Sequence, residues 1–128
     1  MTEPKVTVTF YPIGLPPAPL SCEVARSVRR KMRGLMYRES LGKNKGMLFP
    51  FIVSWYRGFW MKNVLIPLDI IFINKHLQVI TIYEAAVDHR VLPKTYWSRR
   101  FCKYVVECNR GFCKEYGISS GTDVQIKK

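Results

Sequence analysis

Residues 57–73, RGFWMKNVLIPLDIIFI, restrict the possible folds more than any other segment of the chain. Thirteen of these seventeen residues are apolar, glycine or proline, and Pro67 and Asp69 interrupt the longest apolar run, residues 64–73. A transmembrane helix needs about 18–20 apolar residues in succession, so this segment is too short and too interrupted to be one. We therefore interpret residues 51–73 as two β-strands with a bend at the proline.

The size of the chain favours a single domain. With 128 residues, of which 48% are hydrophobic, it can form one core of ordinary size, and we expect one domain over residues 1–128. The first residues, MTEPKVTVTFYP, lack the apolar core of a signal peptide. We therefore expect a cytoplasmic protein that does not associate with membranes.

Alternating apolar residues predict the first strand. Val6, Val8 and Phe10 alternate with threonines, which indicates a half-buried strand over residues 5–11. Further short strands are predicted at residues 47–49, 78–83, 101–108 and 124–126, with a turn at 74–77, one helical turn at 112–116 and an irregular stretch at 84–100. Six or seven strands in a chain of this size predict a mainly β (α+β) fold, a compact antiparallel β-barrel or sandwich-like single domain.

One short basic amphipathic helix is predicted near the N-terminus, over residues 22–33. Ser21 would be its N-cap and Gly34 its C-cap. Its apolar residues recur every four positions and are expected to pack on the core: Val24, Val28 and Met32. Most of the basic residues would then lie on the opposite side of the helix.

The cysteines do not have the spacing of a structural metal site. Zinc sites of that kind use C-x2-C pairs, whereas the C-terminal three cysteines are separated by C-x5-C and C-x4-C, and neither histidine lies near them in sequence. The residues concerned are Cys22, Cys102, Cys108, Cys113, His76 and His89. We therefore predict no metal and no cofactor; buried free thiols are the simplest interpretation, with a disulfide as the alternative in a hyperthermophile.

A series of short motifs resembles one known family. The motifs are RGLM at 33–36, GMLF at 46–49, FWMKN at 59–63, IPLDIIFI at 66–73, then Glu107, Asn109 and Gly111, and finally GISSG at 117–121. In this order they resemble the DUF192 (UPF0127) family of small uncharacterised domains, and they cover about residues 20–126. The resemblance is specific for the family but implies no activity, because the family has no agreed one.

The polar and aromatic residues of these motifs allow two interpretations; they are Trp60, Lys62, Asn63, Asp69, Glu107 and Asn109. A buried lysine beside a carboxylate can act as an acid or a base. However, the sequence contains no G-x-S-x-G and no cysteine near a histidine, which favours a protein without enzymatic activity. We expect Lys62 and Asp69 to pair or to cap backbone groups, and Arg57 to point to solvent. A pocket around Trp60, Lys62 and Asp69, in a small-molecule-binding protein or an enzyme, is the alternative.

The charge of the chain favours a polyanionic partner. It has 21 Lys and Arg against 9 Asp and Glu, a net charge of +12. Cations and an aromatic residue from the helix and several loops are suited to phosphate contact and base stacking: Arg26, Arg29, Arg30, Lys31, Arg33, Arg38, Lys43, Lys45, Arg57, Trp97, Arg99 and Arg100. We therefore predict a non-enzymatic RNA-binding protein, a ribosomal or ribosome-associated component that contacts ribosomal RNA and neighbouring ribosomal proteins.

Overall fold

A computed structural model describes residues 5–128 of the chain; residues 1–4, which the predicted domain included, lie outside this range. The elements within it are β1 (Lys5–Tyr11), β2 (Ala18–Val24), α1 (Val28–Arg33), β3 (Lys45–Trp55), β4 (Gly58–Trp60), β5 (Leu68–Ile73), β6 (Val79–Ala85), β7 (Thr95–Trp97), β8 (Cys102–Asn109), α2 (Phe112–Tyr116) and β9 (Asp123–Lys127).

Seven of these strands form one curled sheet. Their order is β6–β5–β8–β3–β2–β1–β9, and β4 pairs with β7 in a separate two-stranded ribbon. The two edges of the sheet meet at one end, where Gln78 bridges Asp123 and the Val124 N–H donates to the Leu77 carbonyl at 2.8 Å. The sheet is therefore a half-barrel, and the prediction of a mainly β fold is confirmed.

One pair in the middle of the sheet is parallel. Ser21 of β2 lies opposite Lys45 of β3, and Val24 lies opposite Leu48. Parallel neighbours need a crossover connection, which here passes through α1. The prediction of an antiparallel sheet is wrong for this pair.

β5 explains the apolar segment with which the sequence analysis began. All six of its residues are buried, because both faces of the sheet are covered at this position. Leu68, Ile70 and Phe72 pack in one hydrophobic cluster, whereas Ile71 and Ile73 pack in the other. Apart from Asp69, the strand is therefore apolar on both faces instead of alternating.

The predicted helix over residues 22–33 is wrong in its first half. Residues 18–24 form β2, and every second residue from Ala18 to Val24 is buried. The helix begins after Ser27, whose Oγ accepts a hydrogen bond from the Arg30 N–H at 3.1 Å. Gly34 is the C-cap as predicted.

The predicted core stripe of this helix is also wrong. Val28 is 75% exposed and Met32 is 71% exposed, and no residue of α1 is buried. The four-residue spacing of Val24, Val28 and Met32 runs across the junction between β2 and α1, so it does not belong to one helix.

Most of the other predicted elements are present, but several of them begin or end at different residues than predicted. β3 continues from the predicted residues 47–49 to Trp55, and β7 lies within the stretch that was predicted to be irregular. Pro67 directly precedes β5 instead of joining two strands. The turn at 74–77 and the helical turn at 112–116 are confirmed.

Candidate functional site

A cavity of about 600 Å³ lies between α1 and the aromatic residues of β3 and β4. Its deep end includes the buried residues Leu35, Phe49 and Glu107, whereas the exposed Val28 and Met32 lie at its mouth. The other lining residues are Lys31, Arg33, Gly34, Met36, Phe51, Tyr56, Arg57, Gly58, Phe59, Trp60 and Val64. A broader depression of about 1060 Å³ is lined only by residues 28–38. We take the smaller cavity as the candidate site, because several separate elements enclose it.

Aromatic rings pack edge to face along one wall of the cavity. The Phe59 ring centroid lies 4.9 Å from that of Phe49 and 6.4 Å from that of Phe51. Two cations approach the Phe51 ring: Lys31 Nζ lies 5.0 Å from its centroid and the Arg57 guanidinium 4.0 Å. Both distances fall within the range of cation–π attraction, so the ring holds positive charge beside the cavity.

Hydrogen bonds hold both the backbone and the side chain of Arg57 in place. Its guanidinium donates to the Val53 carbonyl, and its backbone N–H donates to Ser98 Oγ at 3.1 Å. Its Nε is buried and has no hydrogen-bond partner within residues 5–128. The expectation that Arg57 points to solvent is therefore wrong, because the side chain lies over Phe51 at the cavity.

Glu107 is the acidic residue at the buried end. It lies on β8 between Met47 of β3 and Ile70 of β5, and only 3% of its surface is exposed. Within the described residues its carboxyl group forms no hydrogen bond or ion pair, and burial raises its pKa from 4.5 to about 8. At neutral pH the group is mostly a neutral carboxylic acid, with one O–H donor and one carbonyl acceptor.

Two glycines that line the cavity occupy positions where a larger residue would be unfavourable, Gly58 for lack of space and Gly34 for its backbone conformation. A Cβ on Gly58 would lie 2.7 Å from the Trp97 ring and from Thr95 Cγ2, so β4 and β7 can pair closely only with glycine here. Gly34 has a φ of 50°, and a Cβ on it would lie 3.6 Å from Glu107 Oε1. The end of α1 is thus held next to the buried carboxyl group.

A model of the family DUF192, "Uncharacterized ACR", matches residues 14–126. The chain belongs to the DUF192 family. The resemblance inferred from the sequence motifs is thereby confirmed. No curated protein matches the chain.

Two solved structures are similar to this DUF192 chain. One is a "putative transcription regulator" from Sinorhizobium meliloti 1021, 32% identical, with a TM-score of 0.90 over 98% of this chain and 96% of that one. The other is a protein of unknown function from Novosphingobium aromaticivorans DSM 12444, also 32% identical, with a TM-score of 0.85 over 94% of this chain and 84% of that one.

The residues of the predicted pocket are separated in this DUF192 chain. Trp60 lines the cavity, but Lys62 is exposed, with its Nζ 5.2 Å from the Trp60 ring centroid. Asp69 is fully buried on the opposite face of the sheet, since it pairs with Cys108 while Ile70 pairs with Glu107. A pocket around Trp60, Lys62 and Asp69 is therefore not formed, because alternate strand residues face opposite sides.

Asp69 caps backbone groups, which is one of the two roles predicted for it. Its carboxylate accepts from the N–H of Cys113 at 2.9 Å and from the N–H of Gly111 at 3.3 Å, at the start of α2. The predicted ion pair with Lys62 is wrong, because Lys62 lies at the surface.

The two asparagines of the motifs position loops. Asn63 has a φ of 58°, and its carbonyl accepts from the Tyr37 N–H at 2.8 Å. Asn109 Nδ2 donates to the carbonyls of Leu41 at 2.8 Å and Gly42 at 3.3 Å. Both asparagines fix the segment of the crossover that follows α1 and leads into β3.

The residues predicted to contact RNA fall into several environments in this DUF192 chain. Eight are exposed: Arg26, Arg29, Arg33, Lys43, Lys45, Trp97, Arg99 and Arg100. Arg30 and Arg38 both bond Glu23, at 3.5 and 2.5 Å, and lower the pKa of that carboxyl group. Lys43 lies 3.9 Å from Glu115, and Lys31 and Arg57 lie at the cavity. Some of the predicted cations are thus neutralised locally.

The four cysteines are free and buried. Burial raises the pKa of Cys22 to about 12 and that of Cys102 to about 11, and it also raises the pKa values of Cys108 and Cys113. These thiols are therefore protonated at neutral pH and unsuited to nucleophilic chemistry. Residues 5–128 contain no cluster of three His, Cys, Asp or Glu placed to hold a metal ion, and none of their helices has the length and apolarity to cross a membrane.

Sequence reasoning named Trp60 and Glu107 as pocket candidates and Lys31, Arg33 and Arg57 as RNA contacts, but it missed the other residues of the lining. A signal was present in the run RGFW at 57–60, since all four of these residues line it. Val28 and Met32 were assigned to the core, although their exposure places them at the mouth.

Proposed function

We propose that this protein binds a small organic ligand that has a planar apolar body and an anionic group. The observation that carries the proposal is the cavity between α1 and β4, where aromatic rings and cations meet a buried carboxyl group. Its volume of about 600 Å³ lies within the usual range of ligand sites, about 300–1000 Å³.

The lining supports each part of this ligand. Five aromatic side chains border the cavity and favour a flat body: Phe49, Phe51, Tyr56, Phe59 and Trp60. Lys31, Arg33 and Arg57 favour an anionic group, and the Nε of Arg57 still lacks a partner within residues 5–128.

The lining also favours binding over covalent catalysis. Glu107 is the one acidic residue among the described residues that line the cavity, and no serine, cysteine or histidine accompanies it there. The arrangement of nucleophile and base that covalent catalysis requires is thus missing from this lining.

The test is calorimetric titration with 2-naphthalenesulfonate, a flat anion. We expect binding with one-to-one stoichiometry, weakened at least tenfold by Phe51→Ala and by Arg57→Gln, because each change removes part of the wall described above. Tyr11→Ala and Arg100→Gln are matched controls, since these residues are exposed and do not line the cavity. Absence of saturable binding, or equal weakening by the controls, would contradict the proposal; circular dichroism would verify that each variant folds.

We also propose RNA binding as a second candidate function. It is supported by the way Arg57 links two basic segments: its side chain shares the Phe51 ring with Lys31 of α1, and its carbonyl accepts from the Ser98 N–H at 2.8 Å. The exposed Arg99 and Arg100 follow directly. Such a surface could contact several phosphates of structured RNA, including ribosomal RNA.

Sedimentation in sucrose gradients tests this second candidate. We expect the protein to move with ribosomes at low salt and to be released as salt rises, and the double change Arg99→Glu and Arg100→Glu to prevent this. Changing Lys114 and Lys127 to Glu is the control, because these cations are exposed in other parts of the fold. Because the Sinorhizobium protein is called a "putative transcription regulator", duplex DNA is a useful second probe. Free sedimentation at low salt would exclude ribosome binding.

A further inference from the structure

We propose that the ligand of the cavity is a nucleoside monophosphate whose base hydrogen-bonds to Glu107. This inference rests on the proposed ligand-binding function and specifies its ligand class. It follows from the position of one buried carboxyl group, the rings above it and the cations near the mouth.

The carboxyl group of Glu107 has no hydrogen-bond partner within residues 5–128, and a bound ligand could supply one. Only 3% of Glu107 is exposed, the residue borders the cavity, and no hydrogen bond or ion pair joins its carboxyl group to residues 5–128. Buried polar groups in folded proteins nearly always have hydrogen-bond partners. A bound molecule with complementary groups would therefore complete this end of the site.

The chemistry of a neutral carboxyl group restricts that molecule. Its O–H donates and its carbonyl oxygen accepts, side by side in one plane. Adenine presents N1 as acceptor beside its N6 amino donor, and cytosine presents N3 beside its N4 amino donor, so either edge forms two hydrogen bonds with the acid. Guanine (O6 beside N1–H) and uracil (O4 beside N3–H) also present an acceptor beside a donor and can pair with the neutral acid. Guanine alone has two adjacent donors, at N1 and N2, so it can also pair with the ionised carboxylate.

The remaining walls suit the rest of a nucleotide. Phe51, Phe59 and Trp60 offer ring faces and edges against which a base can stack. Lys31, Arg33 and Arg57 can contact a phosphate, and guanidinium groups are well suited to bidentate phosphate contacts. One molecule would thus use the aromatic, cationic and acidic parts of the cavity together.

Protonation of Glu107 is expected to control this binding. The charged and titratable groups around the cavity are Lys31 and Arg33 from α1, Tyr56 and Arg57 from the segment before β4, and Cys108, which follows Glu107 on β8 and faces the other side of the sheet. Burial is the cause of the raised pKa of about 8, so the acid is mostly neutral at pH 7 and mostly ionised at pH 9. The affinity for AMP should therefore fall about tenfold between these pH values.

The experiment compares AMP, CMP, GMP and UMP with 2-naphthalenesulfonate by calorimetry at pH 7 and pH 9. We expect wild-type protein to bind all four nucleotides at pH 7 and to lose about tenfold affinity for AMP and CMP at pH 9, whereas its affinity for GMP, which can pair with the ionised carboxylate, should fall less. Glu107→Gln presents an amide donor and acceptor at both pH values, so it should retain AMP binding and lose the pH dependence. Glu39→Gln, a change of an exposed carboxylate, should behave as wild type.

The outcomes separate the two proposals. If 2-naphthalenesulfonate binds but AMP and CMP do not, or if their affinities fall no more than that of GMP between pH 7 and pH 9, the nucleotide inference is wrong and the proposed ligand-binding function stands. If the pH dependence persists in Glu107→Gln, the inference is also wrong, because another group then controls binding. If neither the nucleotides nor 2-naphthalenesulfonate binds, both proposals fail.

Discussion

Asp69 and Glu107 are both buried carboxyl groups, but they face opposite sides of the sheet and meet different surroundings. Asp69 accepts two backbone N–H groups at the start of α2. Glu107 faces the cavity without such donors, and its pKa is raised by burial to about 8. Asp69 therefore has a structural role, whereas Glu107 is available to a ligand.

The stability of the protein should depend on the ionisation of Glu107. Between pH 4.5 and about 8 the native state keeps this proton while the unfolded chain releases it, so the free energy of unfolding falls as pH rises through this window. The loss is at most about 1.4 kcal/mol per pH unit.

Urea denaturation at pH 5 and pH 7.5 measures this effect. Between these values, wild-type protein should lose up to about 3 kcal/mol more stability than Glu107→Gln, which has no proton to release. Glu39→Gln should follow wild type, because Glu39 is exposed. Parallel pH profiles of wild type and Glu107→Gln would show that Glu107 ionises normally.

Removing the carboxylate of Asp69 should destabilise the fold. Asp69→Ala leaves the N–H groups of Gly111 and Cys113 without their acceptor in a buried position, and we expect a loss of about 2–3 kcal/mol. Chemical denaturation followed by circular dichroism measures the change. Asp123→Ala, at an exposed position, should alter stability by less than about 0.5 kcal/mol; a similar effect of both changes would contradict the capping role.

The importance of individual residues was only partly predictable from sequence. The motifs pointed to Asp69 and Glu107, but not to the faces on which they lie. That assignment depends on the register of β5 against β8, in which Asp69 pairs with Cys108 and Ile70 with Glu107. A shift of one residue would exchange the two faces, and nothing local in either strand determines it.

At the scale of elements, strands with strong alternation were predictable, as β1 shows. The boundary between β2 and α1 was not, because Val24, Val28 and Met32 imitate the spacing of a helix. β2 lies between β1 and β3, and this tertiary environment determines its conformation. The cavity could not be predicted for the same reason. One of its walls is α1, and the sequence did not show that this helix begins at Val28.

β3 should tolerate no side chain at Gly46. A Cβ there would lie 2.6 Å from the Glu107 carbonyl oxygen and 2.9 Å from Leu20 Cδ2, so neighbouring strands would have to separate. We expect Gly46→Ala to cost about 1–3 kcal/mol of stability.

Gly42→Ala provides the comparison. Its added Cβ would meet the flexible Lys45 side chain at 3.0 Å, which can move away, so we expect a much smaller change in the denaturation midpoint. Equal midpoints for the two variants would show that β3 can shift without cost.

At the scale of the whole molecule, the net charge of +12 should weaken the folded state by self-repulsion. Raising NaCl from 20 to 300 mM screens this repulsion, and we expect stabilisation of about 1 kcal/mol, or a rise in Tm of about 4 °C. Scanning calorimetry measures the shift. The double change Arg26→Gln and Arg29→Gln should reduce the salt dependence, and a Tm that falls with salt would show that attractive ion pairs dominate.

The mainly β class of the molecule was predictable from its many short strands. The closure of the sheet into a half-barrel was not. The parallel pair β2–β3 and the contact between the two sheet edges join segments that are distant in sequence. Such pairings leave no local pattern in the residues that form them.

The position of β1 has a consequence for biosynthesis. β1 pairs with β2 on one side and with β9 on the other, where Thr7 lies opposite Lys127. During translation β1 and β2 can form a hairpin early, but the second edge of β1 stays unpaired until residues 123–127 have left the ribosome. An unpaired strand edge can join strands of other chains. Nascent chains that stop before β9 should therefore aggregate, although they contain every residue of the cavity.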